Sequence, residues 1–302
     1  MNIAIYPPQL LHEQGKRSNN EDAIYPSAQD MPNYSNVFLV CDGVGGEPCG
    51  EHASRIVATE FAGYFQNKQV SDASDVSAAV SLSEKAMRQF GNEHHEARKM
   101  ASTMTLLHLH QKGATIAHIG DSRVYQLRQG KIIFKTADHS WVNEMVKEGI
   151  LDIDAAKAHA YRNVVTKVIQ CNHTGAQPDV ELLSDIRADD SFFLCSDGVL
   201  ESLTDTQLEY IIGDADMNDK EKIETIQEAC KERSKDNFSC YLIRIRSTNA
   251  PIEPPALGDT TDPLPIRIGN DFQTDPEGAG FIAKIALILL ILGLIVAAVK
   301  FL

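Results

Sequence analysis

Nine residues, Phe38-Leu39-Val40-Cys41-Asp42-Gly43-Val44-Gly45-Gly46, constrain this chain more than any other stretch. Their apolar half favours a pleated, buried strand. That strand delivers one carboxylate at its end, and the glycines that follow let backbone come close to a ligand. The pattern returns at Phe192-Phe193-Leu194-Cys195-Ser196-Asp197-Gly198. A third acid, Asp236, stands directly before the run Phe238 to Ile245, in which Tyr241, Ile243 and Ile245 alternate as in a strand. Were the three carboxylates to converge, mutual repulsion would raise their pKa values unless a cation lay between them. Oxygen-only ligation suits Mg²⁺ and Mn²⁺ better than zinc. One Asp-Gly pair is also an ordinary turn, so the weight rests on the set and its order.

Around these strands the chain alternates strand runs with paired helices. Ala4 to Leu11 is expected to be extended, and Ala23 to Tyr25 a short strand stopped by Pro26. Gly50 opens a helix reaching about Asn67, with Ala53, Ile56, Val57, Phe61, Tyr64 and Phe65 on one face. A second helix is expected from Asp75 to Phe90. Thr103 to His110, Ala114 to Ile119, Arg123 to Leu127 and Lys131 to Phe134 read as consecutive antiparallel strands. Ser140 to Gln170 reads as helical, broken at Gly149. Thr204-Asp205-Thr206-Gln207 resembles a capping box for a helix to Ile212, and Glu221 to Glu232 forms another. Such an order implies an antiparallel α+β sandwich with helices on its outer faces.

Taken in sequence, Arg17-Ser18-Asn19-Asn20-Glu21-Asp22, Asp42-Gly43-Val44-Gly45-Gly46, Gly120-Asp121-Ser122-Arg123, Asp138-His139, Asn163-Val164-Val165-Thr166, Ser196-Asp197-Gly198 and Asp236-Asn237 resemble the successive motifs of the metal-dependent type 2C serine/threonine protein phosphatases. The resemblance runs from about Gly15 to Ile245. It implies a four-layer α-β-β-α sandwich with metals at one end, and hydrolysis of phosphoserine and phosphothreonine by a water activated between two Mn²⁺ or Mg²⁺ ions. On the family pattern Asp42 bridges both ions, the Gly43 carbonyl joins one, and Asp197 and Asp236 join the other. Glu21 would hold metal-bound water, Arg17 the substrate phosphate, and Asp121 with Asp197 a third ion. Phosphorylated proteins are the implied substrates and a serine/threonine kinase the implied opponent.

Departures from the pattern matter. Val44 stands where many eukaryotic members carry a histidine proposed as the leaving-group acid, and valine has no proton to give. Ala101-Ser102-Thr103, Ala160 and Gln170 also depart; the resemblance implies that residues 140–170 form a flap beside the active site that influences substrate choice. His108 and His110 share one strand face, but a half-exposed strand with no third ligand is the plainer reading. Two alternatives stay open: a catalytically silent module that recruits phosphoproteins, and a metallohydrolase of small phosphate esters. The first is opposed by the intact acids, and no Gly-x-x-x-x-Gly-Lys loop supports a nucleotide substrate.

With 302 residues and 43% hydrophobic content the chain can bury a sizeable core, expected over residues 1–246. A net charge of −14, without a basic stripe, argues against nucleic acid as a partner. The six cysteines show no Cys-x-x-Cys spacing and are expected to be free thiols. Residues 247–280 hold six of the twelve prolines, six acids and one arginine, which makes a solvated linker. Beyond it, residues 285–299 are fifteen consecutive apolar or glycine residues, and only Lys284 and Lys300 are charged between 281 and 302. As a helix that segment spans ~33 Å, enough for a hydrocarbon core of about 30 Å. The expectation is a C-terminal transmembrane helix. With no signal peptide expected at Met1 to Pro8, it would be a single-pass tail anchor with the preceding domain in the cytoplasm. The short form with Val44 and a simple tail points to a bacterial source.

Overall fold

The structure is a computed structural model and describes residues 3–28, 36–44, 49–152, 155–156, 159–161 and 164–248. The chain opens with β1 (Ile3–Ile5), β2 (Gln9–Glu13), β3 (Asp22–Tyr25) and β4 (Val37–Asp42), followed by α1 (Gly50–Phe65) and α2 (Ala73–Glu93). Next come β5 (Ala101–Ser102), β6 (Met104–His110), β7 (Gly113–Ile119), β8 (Arg123–Arg128) and β9 (Lys131–Lys135), then α3 (Trp141–Lys147). After it run β10 (Ile169–Gln170), β11 (Asp179–Leu183), β12 (Ser191–Cys195), α4 (Asp197–Leu200), α5 (Asp205–Gly213), α6 (Asp219–Arg233) and β13 (Phe238–Thr248).

One sheet has the order β11-β7-β6-β4-β3 and the other β1-β13-β12-β8-β9, with β2 also on β13. Their ladders are antiparallel throughout. β4 shows why the two sheets stack. Its alternate residues Val37, Leu39 and Cys41 pack with the apolar faces of α1 and α2, while Phe38 and Val40 enter the core shared with Phe192, Leu194, Tyr241 and Ile243 of the other sheet. A strand buried on both faces carries no polar alternation. On the far side α6 packs on β2 and β13, and α5 on β9. The layers are helix, sheet, sheet, helix, as expected.

Several expectations are corrected. Ala4 to Leu11 is two strands, because Pro7 and Pro8 offer no N–H to a ladder and fall between them. β13 runs to Thr248, and Ser247 and Thr248 pair with Ala4 and Ile3, so the domain extends two residues past the boundary set at 246. Within Ser140 to Gln170, expected to be helical, the end is extended: Val165 bridges to Ser140, and Ile169 and Gln170 pair with β5. His108 and His110 are buried rather than half-exposed. His108 meets Ser71 Oγ through Nδ1 at 2.7 Å, and His110 meets Thr115 Oγ1 through Nε2 at 2.9 Å. The cysteines are free, and all but Cys49 are buried. The linker beyond 248 and the expected transmembrane helix at 281–302 lie outside the described residues. Among the described residues no helix is long and apolar enough to cross a membrane.

Candidate active site

Five chain segments end at one edge of the sandwich, and each carries an acid there. β4 ends in Asp42, which stands opposite Asp22 at the start of β3. β7 ends at Ile119, and Asp121 lies in the turn to β8. β12 ends at Cys195, so Asp197 opens α4 two residues beyond its strand. Asp236 precedes β13. All seven residues expected at the site, Arg17, Glu21, Asp42, Gly43, Asp121, Asp197 and Asp236, line one cavity of about 270 Å³.

Hydrogen bonds set these residues in place. Thr103 grips Asp42 from both sides of its backbone: its N–H donates to the Asp42 carbonyl at 2.8 Å, and its Oγ1 accepts the Asp42 N–H at 3.0 Å. Asn237 organises the loop that carries Arg17 and Glu21. Its Nδ2 donates to the carbonyls of Gln14 (2.7 Å) and Asn19 (2.8 Å), and its Oδ1 accepts the Glu21 N–H at 2.9 Å. Ser54 Oγ donates to the Glu21 carbonyl at 2.6 Å. Two glycines permit the approach of backbones: a Cβ on Gly43 would strike the Gly50 carbonyl, and one on Gly198 would strike the Asn237 carbonyl.

Electrostatics show what such a cluster requires. Burial, then the charges of Asp22, Asp197 and Asp121, hold the Asp42 carboxyl well above the usual carboxylate range. Burial and the neighbouring Asp197 push Asp121 up to about 7, and burial with Asp236 pushes Asp197 up to about 6. The Oδ1 atoms of Asp197 and Asp22 are buried without a hydrogen-bond partner among the described residues. Burial also raises Glu21, with Arg17 opposing. Crowded oxygen donors that must either protonate or bind a cation fit a hard divalent ion.

Arg17 sits on the cluster itself. Its Nη2 donates to Asp236 Oδ2 at 2.6 Å, so the guanidinium meant for a phosphate rests on one of the acids. Thr103, Val44, Val165 and Glu201 complete the cavity wall. Of these, Thr103 and Glu201 were not singled out from the sequence as lining the site. Glu201 follows the Asp197-Gly198 pair by one turn of α4, which is the only signal that could have found it. Asp22 was seen only as part of a motif. Its pairing opposite Asp42 and its bond from Ser196 Oγ (2.8 Å) place it directly behind the site.

Fold and site together define an antiparallel α-β-β-α protein built around an acidic divalent-cation centre. The sequence profile of protein phosphatase 2C matches residues 12–235, and the chain belongs to that family. It is 27% identical over 247 residues to protein phosphatase PhpP of Streptococcus pneumoniae, covering 80% of this chain and 98% of PhpP. It is 29% identical over 191 residues to the serine/threonine protein phosphatase PstP of Mycobacterium tuberculosis, covering 63% of this chain and 35% of PstP. The chain thus spans about a third of PstP. A structure of the PstP catalytic domain in complex with two manganese ions superposes with a TM-score of 0.65 at 24% identity, over 80% of this chain and 99% of that one.

Proposed function

We propose that this protein is a metal-dependent phosphatase that hydrolyses phosphoserine and phosphothreonine side chains of other proteins. The observation that carries the reading is the convergence of Asp42, Asp121, Asp197 and Asp236 on one cavity with Arg17 at its rim. Kinship with PhpP and PstP, which are named as protein phosphatases, supports the choice of substrate class.

Asp42, the Gly43 carbonyl, Asp197 and Asp236 would hold two Mn²⁺ or Mg²⁺ ions, and Asp121 with Asp197 a third. Bound there, the ions supply an acidified water and neutralise charge on the phosphoryl oxygens. Arg17 recruits the phosphate. A planar guanidinium grips two oxygens at once, and a phosphate entering the cavity competes with Asp236 for it. In that exchange the arginine keeps an anionic partner. Glu21, partly desolvated and held by Asn237 and Ser54 through its backbone, orients water at the wall of the cavity. Val44 gives the leaving alkoxide no proton, and no histidine lines the cavity among the described residues, so water or the flap would have to supply it.

The test is phosphate release from a phosphothreonine peptide with Mn²⁺ and with EDTA, in the wild type and in Asp42→Asn and Asp236→Asn. Turnover that needs Mn²⁺ and falls by about 10² or more in both variants is expected. A folded wild type that binds Mn²⁺ without turning over the peptide would favour a recruiting module, and one that prefers nucleotides would favour the small-ester reading. An opposing serine/threonine kinase belongs to the same proposal. So does a tether: the apolar run 285–299 would anchor the chain in a membrane with the phosphatase domain in the cytoplasm.

A further inference from the structure

His118, His139 and Asp179 offer three donor atoms within 4.8 Å of one another, outside the cavity just described. The spacing is that of a metal site, but the hydrogen bonds exclude it. A histidine that ligates through Nε2 carries its proton on Nδ1. His139 Nδ1 instead accepts the Gly120 N–H at 3.1 Å, so the ring proton is on Nε2 and no lone pair faces the cluster. Nε2 lies 3.3 Å from Asp179 Oδ1 and 3.3 Å from Lys167 Nζ. The cationic place is already filled by Lys167, whose ammonium lies 3.4 Å from the same oxygen. His118 stacks on the His139 ring at 4.5 Å and 10°, and its own Nε2 donates to the Ala137 carbonyl at 2.8 Å. Burial lowers the pKa of both rings, that of His139 to about 4, in agreement with these tautomers.

What the cluster joins is more informative than what it could ligate. The backbone of His139 also brackets Gly120, donating to its carbonyl at 2.9 Å, and its own carbonyl accepts the Thr166 N–H at 2.9 Å. Gly120 precedes Asp121, and Thr166 follows Val165, and both Asp121 and Val165 line the cavity. Through its ring and its backbone together, His139 therefore ties the Asp121 turn to the segment 164–167, with Asp179 of β11 and Lys167 beside the ring.

We propose that His139 is a positioning residue that fixes the Asp121 turn through Gly120 and couples it to the flap's return segment through Asp179 and Lys167. For its effect on turnover this rests on the phosphatase reading; for the hydrogen bonds it does not. Two substitutions divide the ring's functions. Asn places an oxygen where Nδ1 stands and keeps the acceptor for Gly120, whereas Gln reaches the Nε2 position and abandons it.

The experiment compares wild type, His139→Asn and His139→Gln in three readouts: amide exchange by NMR on the metal-free protein, Mn²⁺ binding followed by electron paramagnetic resonance, and peptide turnover against Mn²⁺ concentration. His139→Asn should stay within about twofold of wild type in all three. His139→Gln should exchange the Gly120 amide about fivefold to tenfold faster, the size of one lost hydrogen bond. It should weaken the weakest Mn²⁺ event by about the same factor and lower kcat with KM little changed. Gly120 exchange that is equal in the two variants overturns the proposal. Should His139→Gln not fold, Asp179→Asn serves, because it spares the Gly120 bond: exchange at Thr166 should rise by about fivefold while Gly120 holds, and an unchanged Thr166 overturns the coupling. If the wild type itself shows no turnover, the phosphatase reading fails, and the exchange data still decide the role of His139.

Discussion

Arg17 and Asp236 stand 219 positions apart in the chain and 2.6 Å apart in space. Because Asp236 already orients the guanidinium, the arginine arrives at the cavity with little freedom left to lose. Arg17→Ala should lower kcat/KM by about 10² or more, and Arg17→Lys should recover only part of it, because an ammonium cannot grip two oxygens. Steady-state kinetics on a phosphothreonine peptide checks both. The acids make a second prediction. Asp197 and Asp121 titrate near 6 and 7 in the metal-free fold, against about 4 in an unfolded chain. Between those values the folded state binds more protons than the unfolded one, so the metal-free protein loses stability as pH rises from about 4 to 7 and levels off above. A cation removes that penalty by taking the protons' place. The rise in melting temperature caused by Mn²⁺ should therefore be larger at pH 7.5 than at pH 5, measurable by calorimetry; an equal rise at both would mean that these acids are not the ligands. The acids themselves could be read from the sequence, because each ends or begins an apolar run. Thr103 and Asn237 could not be assigned their work, since a grip on Asp42 or on Gln14 and Asn19 depends on partners that only the folded chain brings near.

Elements with strong local signals were legible and those made by tertiary pairing were not. The capping box at Thr204 and Gln207 is present as read, and α1 begins at Gly50 as expected. β11 escaped notice because its Asp179-Val180-Glu181-Leu182-Leu183 is mostly exposed at a sheet edge and lacks a buried apolar run. β5 and β10 are two residues each and exist only because they pair with one another. The helical reading of Ser140 to Gln170 overreached at its end for the same reason: Val165 is held extended by Ser140, a contact that no periodicity reveals. Two helix termini test how far the site depends on its elements. At α6, Asn218 accepts from the N–H groups of Lys220 and Glu221, so Asn218→Ala should cost about 1 kcal/mol in urea unfolding and leave turnover unchanged. At α4, a methyl on Gly198 meets the Asn237 carbonyl, and the strand ends carrying Asp197 and Asp236 must part. Gly198→Ala should cost about 1–3 kcal/mol and weaken Mn²⁺ binding as well. Equal effects on metal binding in the two variants would show that the acids tolerate such displacement.

At the scale of the whole molecule, an acidic catalytic unit is followed by a proline-rich acidic linker and an apolar run. The unit completes its two sheets without the tail, since β13 closes the second sheet at Thr248. With a net charge of −14 over the full chain, attraction of the domain to an anionic lipid surface is not available to hold it there. On the proposed tether, residence at a membrane would come from burial of the apolar run, an interaction that is non-electrostatic and insensitive to salt. A chain ended after residue 248 should therefore match the full chain in turnover of a soluble phosphopeptide to within about twofold, while only the full chain sediments with membranes and stays there through a wash in about 1 M salt. If the tether proposed above holds, it would act on choice of substrate by raising the effective concentration of the domain toward phosphoproteins in the same membrane. With a phosphopeptide fixed to vesicles that also carry the full chain, the advantage over the shortened chain should reach about tenfold or more and vanish when the peptide is released. A shortened chain that sediments equally, or an advantage that survives release of the peptide, would remove the tether from the account and leave the catalytic unit as it is.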